Sequence, residues 1–84
     1  MSDAAIQSSI AELLQHTHAA MPVPLPEHQS WSALGLDSLD LAELAARIEQ
    51  RYRLEIPDAD WRGLHNVADL VRYLQIRLED HGRH

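Results

Sequence analysis

Gly35-Leu36-Asp37-Ser38-Leu39-Asp40 is the stretch on which the reading of this 84-residue chain turns. Upstream of it lies an irregular, proline-rich segment, and downstream a run with helical periodicity, so the junction predicts a helix start. Gly35 reaches backbone angles closed to other residues and lets the chain turn sharply into that helix. Asp37 is a good N-cap, and Asp40, three residues on, has the spacing of a capping box with a shorter acid than the usual Glu or Gln. Ser38 then stands exposed at the amino end of a rigid element, beside unpaired backbone N–H groups and the positive end of the helix dipole. A phosphate ester is stabilised at such a place.

Downstream, the helix is predicted from Ser38 to Arg51 or Tyr52, with Leu41, Leu44, Ala45, Ile48 and Tyr52 forming one apolar stripe. Leu39, Ala42 and Ala46 lie on a neighbouring strip rimmed by Asp40, Glu43 and Glu49. That strip reads either as the edge of the core or as a docking face, and docking is preferred because a partner must reach Ser38 on the same helix. Arg53–Pro57 reads as a linker anchored by Ile56. Asp58–Gly63 reads as a short helical turn capped by Asp58 and stopped by a left-handed Gly63. A last helix is expected from Asn66, with Asp69 completing a partial capping box. Val67, Leu70, Val71, Leu74 and Leu78 form its buried face, and fraying is expected near Asp80.

Upstream, a first helix is expected from Asp3 to about His18, capped by Ser2 or Asp3, with Ile6, Ile10, Leu13, Leu14 and Thr17 on its buried face. His16 and His18 point to different sides of it and cannot chelate one metal together. Ala19–Trp31 contains Pro22, Pro24 and Pro26, which forbid a continuous helix. A loop of that length needs anchors, for which Val23, Leu25, Trp31 and Leu34 are the candidates. The expected fold is all-α: a small four-helix bundle of three long helices and one short one, in a single domain over 1–84 with 1–2 and 81–84 as loose tails.

Composition narrows the function. Hydrophobic residues make up 45% of the chain, enough for a core and too many for a disordered acidic tail. No cysteine is present, so disulfides and thiolate metal sites are excluded. No apolar run approaches the length of a membrane span, and the N-terminus lacks a secretion signal, so a cytoplasmic protein without membrane insertion is expected. The net charge is −6, and all of it falls in residues 1–46, which hold six acids and no Lys or Arg; residues 47–84 hold seven acids and seven arginines. The plain reading of this is a solvated surface. The functional reading is a negative field around Ser38 that steers basic partner surfaces and repels nucleic acid.

At Gly35–Leu39 the chain resembles the acyl carrier protein family, whose attachment motif is G-x-D-S-L. Trp31-Ser32-Ala33-Leu34-Gly35 fits the family's aromatic-x-x-Leu-Gly entry, with Trp where Phe is usual. Leu54-Glu55-Ile56-Pro57-Asp58 matches its E-I-P-D turn. Asn66-Val67-Ala68-Asp69-Leu70 resembles its T-V-x-D-L helix start. The resemblance runs from Trp31 to Leu74, about half of the chain. It implies that Ser38 is esterified by 4′-phosphopantetheine and that Asp37 helps the modifying enzyme engage it. It further implies partner docking at Leu39, Asp40, Ala42, Glu43, Ala46, Arg47 and Glu49, and an acyl pocket at Leu44, Ile56, Trp61 and Leu64. The implied partners are a phosphopantetheinyl transferase, an acyl-loading ligase or acyltransferase, and a ketosynthase with other pathway enzymes, all served by a monomeric carrier. Arg47, Gln50 and Arg51 depart from the fatty-acid members, and Trp61 is bulky for the short helix. Both differences point to a specialised fatty-acid or polyketide-like pathway.

Three other readings compete. A hydrolase using Ser38 as nucleophile needs a base and an oxyanion hole; His28 and His65 exist, but no G-x-S-x-G elbow does. An unmodified interaction module would keep the fold without the arm. An aminoacyl or peptidyl carrier more often shows G-G-x-S at the turn, where this chain has Leu36-Asp37.

Overall fold

The computed structural model describes residues 2–17, 21–22 and 24–81. It contains α1 (Asp3–Thr17), α2 (Ser38–Tyr52), α3 (Asp58–Trp61) and α4 (Val67–His81), and no strand among the described residues. This is the expected bundle of three long helices and one short one.

Helix α1 is the shared packing partner, lying against both α2 and α4. Its Ile6, Ile10 and Leu14 are fully enclosed, as are Leu44 and Ile48 of α2 and Val67, Leu70 and Leu74 of α4. These are the residues that the 3.6-residue period assigns to inward faces. Thr17 is only half-buried, its hydroxyl donating to the Leu13 carbonyl at 3.1 Å. Ser2 is no loose end: its hydroxyl accepts the Ala5 N–H at 3.2 Å and its carbonyl the Ile6 N–H at 3.1 Å, so Ser2 rather than Asp3 starts α1. His18, at the expected helix end, lies outside the described residues.

The proline-rich connection is pinned from within. Met21, Leu25, Trp31, Leu34 and Leu36 all join the core, and the Glu27 carbonyl accepts the Ala68 N–H of α4 at 3.0 Å. Leu25, Trp31 and Leu34 are anchors as expected; Met21 and Leu36 add to them, and Val23 lies outside the described residues.

The short helix differs from expectation at both ends. Pro57, not Asp58, is its N-cap, and no side chain caps it. Gly63 does not take the left-handed conformation; outside the helix, Gly63 N–H bonds the Asp60 carbonyl at 3.1 Å and Leu64 N–H the Trp61 carbonyl at 3.0 Å. Such tight i→i+3 turns need no left-handed residue. Among the described residues the positive φ angles belong to Gly35 (82°) and to Arg53 (55°), which ends α2 with its N–H on the Glu49 carbonyl. Asn66 caps α4 by accepting the Asp69 N–H at 2.8 Å, while the Asp69 carboxylate reaches the His65 N–H at 3.0 Å, one residue before the position a full capping box uses. Helix α4 persists to His81, past the fraying expected near Asp80, and residues 82–84 of the expected tail lie outside the described residues.

Candidate functional site

The turn before α2 is built by local bonds. Leu36 N–H reaches the Trp31 carbonyl at 3.0 Å and Gly35 N–H the Ser32 carbonyl at 3.0 Å, closing Trp31–Gly35 into a compact knot that aims the chain along α2. The capping box is complete: Asp40 N–H donates to Asp37 Oδ1 at 2.9 Å, and Asp37 N–H donates to Asp40 Oδ2 at 3.1 Å. Ser38 is therefore the first residue of α2, and it is exposed. The N–H groups of Ser38 and Leu39 fall in the first turn, where the helix offers them no backbone acceptor.

Ser38 opens onto a cleft of about 530 Å³. Leu41, Ala42, Ala45 and Glu49 of α2 form one wall; Trp31, Ile56, Trp61 and Leu64 form the other, and Asp58, Arg62 and His65 complete the rim. The two indole rings lie 6.4 Å apart at 56°. The buried Trp31 is fixed by its Nε1–H on the Leu64 carbonyl at 2.8 Å, so it holds the α3–α4 corner to the turn before α2. Half-buried Trp61 lines the cleft, and its Nε1 has no hydrogen-bond partner among the described residues.

The expected site residues separate into groups. Ile56, Trp61 and Leu64 share the cleft with Ser38, but Leu44 does not: it is fully buried in the core, because Leu41 and Ala45 on the adjacent strip of α2 are the residues turned to the cleft. Leu39 is 76% exposed next to Ser38, and Ala42, Glu43 and Ala46 are exposed along the same helix. Asp40 is half-buried and committed to the capping box. Glu43 and Arg47 pair with each other at 3.1 Å. Glu49 is not a free docking carboxylate: it is half-buried and its Oε2 accepts the Ile56 N–H at 2.8 Å, tying the α2–α3 loop to α2. Trp31, Asp58 and Arg62 are not among the expected site residues, and His65 enters the sequence reading only as a candidate base for the hydrolase alternative. Trp31 carried a signal as an aromatic beside the motif, whereas the other three are placed by the tertiary fold alone.

The chemistry of this helix start suits a covalent phosphate ester. An exposed primary hydroxyl with free N–H groups beside it accepts a phosphodiester without burying charge. Among the described residues no group of three or more His, Asp or Glu could hold a metal ion, and no helix is long and apolar enough to cross a membrane.

Comparison with known proteins agrees with this geometry. The family described as the phosphopantetheine attachment site matches residues 4–74. The meromycolate extension acyl carrier protein of Mycobacterium leprae is 37% identical over 76 residues, 89% of this chain and 65% of that protein. The chain thus spans just under two thirds of the length of this mycobacterial relative. The acyl carrier protein of Helicobacter pylori strain J99 is 39% identical over 70 residues, 83% of this chain and 86% of that protein. The chain belongs to the acyl carrier protein family, whose prosthetic group is 4′-phosphopantetheine.

Proposed function

We propose that this chain folds as one non-catalytic acyl carrier domain that takes 4′-phosphopantetheine from coenzyme A on Ser38 Oγ. The observation that carries the reading is the placement of Ser38: exposed, first in α2 behind a closed capping box, and on the lip of a cleft. When bound, the group supplies a terminal thiol that holds acyl chains as thioesters. The residues of the chain do the remaining work. Asp37 and Asp40 hold the helix start, so that the hydroxyl is presented in one orientation to a phosphopantetheinyl transferase. Leu39, Ala42, Glu43 and Ala46 offer the exposed face on which that enzyme, an acyl-loading ligase or acyltransferase, and a ketosynthase would dock in turn. Ile56, Trp61 and Leu64, with Leu41 and Ala45, give apolar walls against which an acyl chain is shielded from water. Weak, fast docking suits a carrier that must leave each enzyme, and charge complementarity raises the encounter rate without a long-lived complex.

A specialised fatty-acid or polyketide-like pathway is the reading favoured by the basic residues Arg47 and Arg51 on α2 and by the tryptophan-walled cleft. The test of the carrier reading is incubation with coenzyme A, Mg²⁺ and a permissive phosphopantetheinyl transferase, followed by intact mass. One prosthetic group should add to the wild-type chain and none to Ser38→Ala. No addition, or equal addition to both, overturns it.

A further inference from the structure

We propose that Arg62 and His65 form an anion grip for the phosphodiester joined to Ser38, holding the root of the arm along the cleft between docking events. This rests on the carrier reading above and deepens it. Three observations converge on these two side chains.

First, Ser38, Arg62 and His65 line one cleft although they come from different elements, Ser38 from α2 and the other two from the α3–α4 corner. Arg62 and His65 are the side chains on that cleft, among the described residues, that can carry positive charge. Second, both backbones are fixed. Arg62 ends α3 with its N–H on the Asp58 and Asp60 carbonyls, and His65 N–H is held by the Asp69 carboxylate at 3.0 Å. Third, their charged ends are not committed. Arg47 pairs with Glu43, Arg51 with Glu12, and Arg77 bonds Tyr73 and the Glu55 carbonyl. Among the described residues, neither the Arg62 guanidinium nor the His65 ring has a carboxylate within 4.0 Å or a hydrogen-bond partner.

The charges facing this space make the pair consequential. Glu49 and Asp58 also line the cleft, the first with one oxygen on the Ile56 N–H. Two carboxylates would push a bare anion out towards solvent. A guanidinium opposes this with charge-assisted hydrogen bonds to phosphate oxygens, and the His65 ring adds an N–H donor. Both side chains are exposed, so the hold is shallow and salt-sensitive, as a resting place for a mobile arm has to be.

The test compares the unmodified chain with the Ser38-modified chain, verified by intact mass, using the attached phosphodiester itself as the probe. On modification the side-chain NMR signals of Arg62 (Nε–H) and His65 (ring) should move, while the Nε–H of Arg72 on α4 stays in place. In the modified R62Q/H65Q double variant the proton lines of the arm should narrow and the phosphorus signal should shift towards that of a free phosphodiester. About 0.5 M salt, where screening acts within a few ångströms, should produce the same change in the wild type. If the Ser38 amide signal moves on modification but Arg62 and His65 do not, the grip is overturned and the carrier reading stands. If they move only when the arm bears a carboxylate-ended acyl chain and not in the free-thiol form, the cleft recognises cargo, and the phosphodiester assignment is again overturned. Absence of any mass addition at Ser38 overturns the carrier reading, and the grip with it.

Discussion

Asp37 does two things with one carboxylate: it terminates the hydrogen-bonding needs of the α2 start and fixes which residue comes first in the helix. Asp37→Ala removes the 2.9 Å bond to the Asp40 N–H and a negative charge at the positive helix end, and should cost about 1 kcal/mol. A lower urea midpoint with an unchanged denaturant slope would show this; an unchanged midpoint would mean that the cap is dispensable. The cap was legible in the sequence because it depends on a three-residue spacing. The left-handed residue that ends α2 was not. Glycine is the usual occupant and none stands near the end of α2, yet Arg53 adopts that conformation at φ 55°. Glu49 was misplaced for a related reason. Its partner, the Ile56 N–H, lies seven residues away across a turn, and helical periodicity says nothing about contacts outside the helix.

At the level of the element, α3 is too short to hold itself and is secured by side chains of its neighbours. The Tyr73 hydroxyl on α4 donates to Asp60 Oδ2 at 2.5 Å, Arg77 bonds the Tyr73 oxygen, and Arg77 also donates to the Glu55 carbonyl at 2.9 Å. Partial burial, and next the bond to Asp60, push the Tyr73 phenol above its ordinary value of 10.0, against a smaller opposing effect of Arg77. The neutral phenol is thus favoured in the fold. Its contribution is complete below the ordinary tyrosine range and is lost as pH climbs through the raised value. Between about pH 8 and about pH 11 the melting temperature of Tyr73→Phe should therefore fall less than that of the wild type. An equal fall in both would show that Tyr73 does not couple α3 to α4. None of this cluster was readable beforehand. The bonds that tie α4 to α3 and to the loop before it span 13 and 22 residues, and each side chain alone looks like an ordinary surface polar residue.

On the scale of the whole molecule, the charge division of the sequence survives folding as an acidic start to α2 followed by arginines further along it. Exposed pairs such as Glu43–Arg47 are worth at most about 1 kcal/mol, so Glu43 remains available to a partner's cation. Glu43→Arg should slow acyl transfer from a cognate loading enzyme several-fold at low salt, with the two rates converging as salt rises. Equal rates at every ionic strength would remove the steering argument. The bundle and the helix-start serine were legible because burial on one helix face and end-capping are both written in local spacing. The cleft was legible only in part: Ile56, Trp61 and Leu64 were named for it, but Leu44 was assigned to it from the wrong strip of α2, and Trp31 entered it from a loop. The placement of that last residue has an optical consequence. Both indoles of the chain stand on the walls of a single opening, so its ultraviolet emission is a native, dye-free gauge of whatever occupies that space, undiluted by tryptophans elsewhere.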